Sequence, residues 1–220
     1  MDKNIVSISQ VDIPMDALLS ALHMDEDNEM IDDIIAMRQE AMAVAKPIAV
    51  YAGFPVITCD GVITLGETKL EEPFVYEMLS NCGFVVPYVA SCGLEIEAWS
   101  KTADDFILEF IADTLKILCL GAIREKLINE VKEKFYGTET IISTINPGSL
   151  PEWPLKRQAQ LFTILGSVTD DIGVELTDSF LMIPTKSVSG IMFSNEQEYH
   201  NCELCKREDC PNRRVPYRGS

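Results

Sequence analysis

The longest helix-forming segment, ADDFILEFIADTLKILCLGAIREKLINEVKEKF at residues 103–135, is the largest single element that any fold of this chain has to accommodate. Apolar residues recur along it at helical spacing, and Gly137 follows at the position where glycine commonly ends a helix. The predicted apolar face consists of Phe106, Phe110, Leu118, Ile128 and Val131. Cys119 lies within the helix, and we expect it to be a small core residue.

The segments around this helix alternate irregularly between helix and strand patterns. Helices are predicted over residues 28–46, 71–81 and 154–166. The apolar face of the first of these helices is predicted to consist of Ile31, Ile34, Ile35, Met42 and Ala45. Residues 84–93, 174–180 and 188–194 favour strands, and PVITCDGVITLG (55–66) predicts a hairpin that turns at Asp60-Gly61. Because the regular strand–helix alternation of a parallel sheet is missing, we predict an α+β fold: a twisted, largely antiparallel sheet with flanking helices.

Charge and cysteine content limit the partners and the compartment. The chain has 35 acidic and 18 basic residues, a net charge of −17, which argues against duplex nucleic acid or an anionic membrane as partner. The start, MDKNIVSISQVD, has no apolar core of a signal peptide, and no apolar run is long enough to span a bilayer. Four of the seven cysteines are scattered in apolar contexts, which predicts reduced thiols and a cytoplasmic protein.

Several kinds of catalytic site are poorly supported. The chain has two histidines, no phosphate-binding loop of the Walker type and no Gly-x-Gly-x-x-Gly after a strand. The acidic run of Asp25, Glu26, Asp27 and Glu29 lacks the ligand spacing of a calcium loop, and we interpret it as solvated surface.

Two segments carry a more specific signal. INPGSLPEWPLKRQAQLFTILG (145–166) contains Pro147-Gly148 before a helix, and IGVELTDSFLMIPTKSVSGIMF (172–193) contains Thr177-Asp178-Ser179-Phe180 and Ser187-Val188-Ser189-Gly190. In this order and at this distance they resemble the activation domain of cobalamin-dependent methionine synthase. The resemblance implies one domain over residues 1–199, followed by a cysteine-rich tail over residues 200–220.

The resemblance implies that the chain binds S-adenosylmethionine and helps to remethylate cobalamin that has been oxidised to the inactive cobalt(II) state. Glycines without a Cβ would let a ligand lie against the backbone, serine hydroxyls suit ribose or carboxylate groups, and a carboxylate favours the sulfonium cation. The expected binding residues are Pro147, Gly148, Asp178, Ser187, Ser189, Gly190 and Tyr199.

The sequence departs from the family pattern around the Pro-Gly turn. The family usually has an arginine a few residues earlier, in position to bind the ligand carboxylate, where this chain has Thr144. Ser149 replaces the aromatic residue after the turn, and Glu152-Trp153-Pro154 replaces a Cys-Pro-x-His element. The carboxylate contact is therefore either absent or supplied from elsewhere in the chain.

No Asp-x-His-x-x-Gly cobalamin signature is present, so the resemblance implies a freestanding activation protein. It would act on cobalamin bound by a separate methionine synthase or corrinoid protein, with a flavodoxin- or ferredoxin-type electron donor. As part of a cobalamin-dependent methyltransferase system, it would hold the methyl donor in line with cob(I)alamin and exclude water. The alternative is a non-catalytic module that senses S-adenosylmethionine or docks on a corrinoid protein.

The tail contains the pattern His-x-Cys-x2-Cys-x4-Cys, formed by His200, Cys202, Cys205 and Cys210. The Cys-x2-Cys spacing lets two thiolates bind one ion, so we predict a metal centre here. Zinc could use His200 as fourth ligand, whereas an iron–sulfur cluster could use three cysteines and leave one iron open. A reduced, metal-free cluster is the remaining alternative.

Overall fold

The computed structural model describes residues 3–196, 199–207, 209–210 and 213–218. Its strands are β1 (Lys3–Ser7), β2 (Ile48–Ala52), β3 (Phe54–Pro55), β4 (Ile57–Cys59), β5 (Val62–Leu65), β6 (Thr68–Leu70), β7 (Phe84–Ser91), β8 (Ile141–Ile145), β9 (Glu175–Leu176), β10 (Met182–Ile183) and β11 (Ser187–Asn195). Its α-helices are α1 (Met15–Leu22), α2 (Ile31–Val44), α3 (Pro73–Leu79), α4 (Leu94–Ser100), α5 (Phe106–Val131), α6 (Gln158–Leu165) and α7 (Val168–Ile172).

A six-stranded sheet forms the centre of the molecule, in the order β1-β2-β7-β11-β8. Strand β3 follows β2 and continues its pairing with β7. Each of these pairings is antiparallel, as are those of the smaller sheets β4-β5-β6 and β9-β10. The predicted α+β fold with a largely antiparallel sheet and flanking helices is confirmed.

Both faces of the central strand β7 are covered by helices. Val86 and Tyr88 lie on the face that packs against α5, whereas Val85 and Val89 lie on the face that packs with α3, α6 and α7. A strand buried on both faces needs apolar side chains at consecutive positions, which explains the continuous apolar run that predicted it. The sheet is therefore the middle layer of three.

Helix α5 lies within the predicted range but turns a different face toward the core. Its buried apolar residues are Ile111, Ala112, Leu115, Cys119, Ile123, Leu127 and Val131, which confirms Cys119 and Val131 as core residues. At the N-terminal end of the helix the predicted apolar face is wrong, since Phe106 is 84% exposed and Phe110 is 44% exposed. Apolar residues occur around most of this helix, so the period alone does not decide which stripe meets α1, α2 and α4.

The hairpin turn predicted at Asp60-Gly61 is confirmed, because local backbone conformation determines it. The hairpin β4–β5 turns at Asp60 and Gly61, whose φ angles of 49° and 79° are the positive values that this dipeptide accepts. The acidic run at Asp25 is exposed, as expected.

The strand predicted over 174–180 is wrong beyond Leu176, because Thr177–Phe180 form a turn in which Phe180 N donates to Thr177 O at 2.9 Å. None of the described helices combines the length and apolarity needed to cross a bilayer.

Candidate functional site

A pocket of about 430 Å³ lies beside the first part of β11, on the edge where β8 no longer pairs with it. Strand β8 pairs with β11 only from Ile191 to Asn195, so Ser187–Gly190 have no strand partner on that side. The loop after β8, helices α5 and α6, and the chain after β11 form the walls. The pocket brings together seven predicted residues, namely Pro147, Gly148, Ser187, Ser189, Tyr199, His200 and Cys202.

The Pro147-Gly148 motif forms a tight turn just after the end of β8. Ser149 N donates to Asn146 O at 3.2 Å, and Gly148 has a φ of 84°. Proline at the second position and glycine with positive φ at the third are typical of a type II turn. A Cβ atom on Gly148 would also lie 2.8 Å from Leu155 Cδ1, so the turn needs glycine for both conformation and space.

Asn146, which sequence reasoning missed, occupies the place where β8 would otherwise continue. Its Nδ2 donates to Ser189 O at 2.8 Å and to Tyr88 Oη at 3.0 Å, and its Oδ1 accepts from Asn201 Nδ2 at 3.1 Å. The side chain thus satisfies part of the open edge of β11 and connects it to the tail. Its position directly before the Pro-Gly motif was the available sequence signal.

The two predicted serines line the pocket, but their protons are used within the protein. Ser187 Oγ donates to Pro184 O at 2.7 Å and lies 2.9 Å from Ser91 Oγ. Ser189 Oγ donates to Oε1 of the buried Gln158 at 3.0 Å. Each hydroxyl retains acceptor capacity, so these serines can accept hydrogen bonds from a ligand.

Two of the residues predicted to bind S-adenosylmethionine lie outside the lining. Asp178 is exposed in the turn between β9 and β10, so the acidic residue expected beside the ligand does not line this pocket. Gly190 lies next to the lining, but a Cβ atom there would lie 2.6 Å from Ile145 O and would also meet Asn146 Nδ2. Glycine here lets β8 and Asn146 approach β11, which is a reason for the residue that the sequence did not indicate. Contact of Asp178 or Gly190 with a ligand stays a prediction.

The pocket is cationic although the chain is strongly acidic. Arg124 from α5 and Arg214 from the tail line it, and among the described lining residues there is no aspartate or glutamate. Three lining side chains, Arg124, Tyr199 and Asn201, each have a buried polar atom without a hydrogen-bond partner in the described part of the chain. Unpaired buried polar groups cost free energy, and a polar ligand that lets these side chains rotate toward it would remove that cost.

Tyr199 remains a neutral hydrogen-bond donor over the whole physiological range. Burial raises its pKa to about 12, and the nearby carboxylates of Glu203 and Glu152 act in the same direction. The residue is held in place from its backbone, because Tyr199 N donates to Ser143 Oγ at 2.9 Å. Its hydroxyl is one of the three unpaired groups, so it can donate to a ligand.

The tail is organised around an arginine. Arg213 donates to the carbonyl oxygens of Cys202 at 2.9 Å, Cys205 at 3.0 Å and Val215 at 3.3 Å, and also to that of Arg207. Among residues 3–196, 199–207, 209–210 and 213–218, no three His, Cys, Asp or Glu side chains are placed to hold a metal ion. The metal centre at His200, Cys202, Cys205 and Cys210 stays a prediction, as does a domain boundary at residue 200.

The chain is similar in fold to a solved structure described as the crystal structure of the MetH reactivation domain bound to AdoHcy. The TM-score is 0.67 at 17% sequence identity, and the alignment covers 91% of this chain and 81% of that one. A comparison with curated protein sequences gives no match.

A sequence model of the vitamin B12 dependent methionine synthase activation domain matches residues 80–214. The matched range is well over half of the chain and contains β7, α5, the Pro147-Gly148 turn, β11 and most of the tail. It therefore includes every predicted site residue that lines the pocket. The chain belongs to the family of vitamin B12 dependent methionine synthase activation domains.

Proposed function

We propose that this protein binds S-adenosylmethionine in the pocket beside Pro147-Gly148 and presents its methyl group to cobalamin held by a partner. The observation that carries the proposal is that two of the three family motifs, Pro147-Gly148 and Ser187–Gly190, meet at one pocket. Three side chains of its lining each have a buried polar atom without a hydrogen-bond partner in the described part of the chain. Its volume lies in the range of small-molecule sites. The similar MetH reactivation domain holds AdoHcy, the product that remains when the methyl group leaves.

The chemistry requires binding and alignment, with no acid or base from the protein. The partner's cobalamin, once reduced by one electron from the donor, would supply the nucleophile that takes the methyl group from the sulfonium sulfur and releases S-adenosylhomocysteine. The contribution of this chain is to hold the sulfonium ligand against the β11 edge and to exclude water. The protons of Ser187 and Ser189 are already donated within the protein, which is consistent with a binding role for both serines.

The partner in this proposal is a cobalamin-binding methionine synthase or another corrinoid protein on a separate chain. The electron donor is of the flavodoxin or ferredoxin type. With a net charge of −17 and an exposed acidic run, the protein suits a basic partner face, and docking should slow as salt increases. A cytoplasmic location is supported by Cys92 and Cys119, which are buried as thiols outside any disulfide.

Isothermal titration calorimetry with S-adenosylhomocysteine tests binding. The wild type should bind, and Tyr199→Phe should weaken binding about 3- to 10-fold, as expected for the loss of one hydrogen bond. Tyr217→Phe, at a tyrosine outside the pocket lining, is the matched control. Absence of both heat and thermal stabilisation at millimolar ligand would contradict the proposal. A second assay follows a labelled methyl group on S-adenosylmethionine. Its transfer to reduced cobalamin indicates that this protein takes part in catalysis, whereas binding without transfer indicates a sensing module.

We also propose that Cys202, Cys205 and Cys210, with His200 as a further candidate, bind zinc or an iron–sulfur cluster. The support is the His-x-Cys-x2-Cys-x4-Cys spacing within a locally basic tail. Because no three candidate ligands are grouped in the described part of the chain, metal binding would have to bring these side chains closer together. Analysis of iron, sulfide and zinc in anaerobically purified protein tests this proposal. A content below about a tenth of an equivalent, with freely reactive thiols, would contradict it.

A further inference from the structure

Arg124 brings a positive charge into the pocket from α5, an element outside the motifs that predicted the site. Its side chain lines the pocket and is partly buried. Its Nε has no hydrogen-bond partner in the described part of the chain. Arg124 also takes part in none of the salt bridges found there. Arg213, by contrast, donates to four backbone carbonyl oxygens.

The surroundings of Arg124 favour an anion. Arg214 is a second cation of the lining, and the described lining residues include no carboxylate. A guanidinium that is partly removed from water without a counter-ion carries an uncompensated desolvation cost. A carboxylate would relieve this cost, because its two oxygens match the planar fork of donors that arginine presents.

We infer that Arg124 is the carboxylate-binding residue of this pocket and makes it selective for ligands that retain an amino-acid carboxylate. The inference rests on the proposed function. The carboxylate is the anionic group of S-adenosylmethionine, whereas its ammonium and sulfonium groups are cations. Its amino-acid end therefore lies on the α5 side of the pocket, and the nucleoside lies toward the Pro147-Gly148 turn and the open edge of β11.

The test compares two ligands that differ in the amino-acid portion. S-adenosylhomocysteine has the carboxylate, whereas 5′-methylthioadenosine is a related nucleoside thioether without it. In Arg124→Gln, the affinity for S-adenosylhomocysteine should fall about 10- to 100-fold, the range for a hydrogen bond to a charged group. The affinity for 5′-methylthioadenosine should stay within about twofold, because that ligand makes no use of the guanidinium.

Two further variants make the test specific. Lys126→Gln removes one positive charge two residues further along α5, outside the pocket lining, and should leave both affinities unchanged. Arg124→Lys keeps the charge but loses the fork, so its affinity for S-adenosylhomocysteine should be intermediate. It also provides a second variant if the glutamine variant does not fold.

The outcomes separate the inference from the function beneath it. If the wild type binds neither ligand, the proposed function fails and the inference fails with it. If the wild type binds S-adenosylhomocysteine and Arg124→Gln binds it equally well, the inference alone is overturned. It is also overturned if Arg124→Gln weakens both ligands to the same extent, because the effect would not depend on the carboxylate.

Discussion

At Gly190, β11 passes close to the end of β8, and a Cβ atom would lie 2.6 Å from the carbonyl oxygen of Ile145. The same approach allows Asn146 to donate to Ser189 O and to reach the tail through Asn201. A single glycine therefore supports the pocket without lining it. Its role is to permit the contacts that hold the open edge of β11 in place.

Gly190→Ala should lower the free energy of unfolding by about 1–3 kcal/mol, the usual cost of adding a methyl group to a packed site. Urea unfolding followed by tryptophan fluorescence measures this change, since Trp153 is fully buried. Gly121→Ala is the control: it lies on the exposed face of α5, where the added methyl group would meet no other segment of the described chain within 4 Å. This change should stabilise the protein by about 1 kcal/mol through helix propensity. Equal stability of wild type and Gly190→Ala would contradict the steric account.

At the scale of the element, α5 connects two parts of the core. Its first half packs with α1, α2 and α4 through Ile111 and Leu115, and its second half packs on the sheet through Ile123 and Leu127. Asp105 begins the helix by accepting hydrogen bonds from two backbone amides of the first turn. Because these contacts fix its rotation, Arg124 is presented to the pocket.

Leu115→Ala should destabilise the protein by about 2–5 kcal/mol, because it leaves a cavity at a fully buried position. Phe106→Ala, on the same helix but 84% exposed, should change the free energy of unfolding by no more than about 0.5 kcal/mol. Both values come from urea midpoints under the same conditions. A large loss at Phe106 would mean that the helix is rotated from the described orientation.

For the whole molecule, burial shifts the acid–base behaviour of several neutral acids in one direction. Burial raises the pKa of the Cys92 and Cys119 thiols to about 12. It also raises the pKa values of the Tyr51 and Tyr136 phenols, and Tyr51 Oη additionally donates to Glu130 Oε1 at 2.5 Å. The folded state thus holds these protons at pH values where the unfolded chain releases them.

Stability should therefore be retained below about pH 9 and should fall steadily from there to about pH 12, since the unfolded state binds fewer protons in this window. Urea midpoints between about pH 8 and about pH 11 measure the slope. Tyr136→Phe, which removes one of these phenols, should make the decline shallower. A midpoint that does not change up to about pH 11 would show that the buried thiols and phenols do not contribute as described.

The features that depend on local backbone preference could be predicted from the amino-acid sequence alone. Asp60-Gly61 accepts positive φ angles, and this preference was sufficient to predict the hairpin that joins β4 and β5. The apolar run of β7 was sufficient to identify a strand, and the structure shows that this strand is buried on both faces. Pro147-Gly148 likewise forms a turn through its own conformational limits, and the turn and β11 both lie in the range that matches the family model.

The side chains that meet in the pocket depend on tertiary packing and could not be predicted from local patterns. Arg124 and Ser189 line one pocket although they are far apart in the chain, and no local pattern relates them. Asp178 belongs to a recognised motif yet lies outside, because the turn between β9 and β10 directs it to solvent. Local sequence sets the conformation of a segment, whereas the packing of distant segments sets the rotation of α5 and the end of β8. Those two features define this pocket.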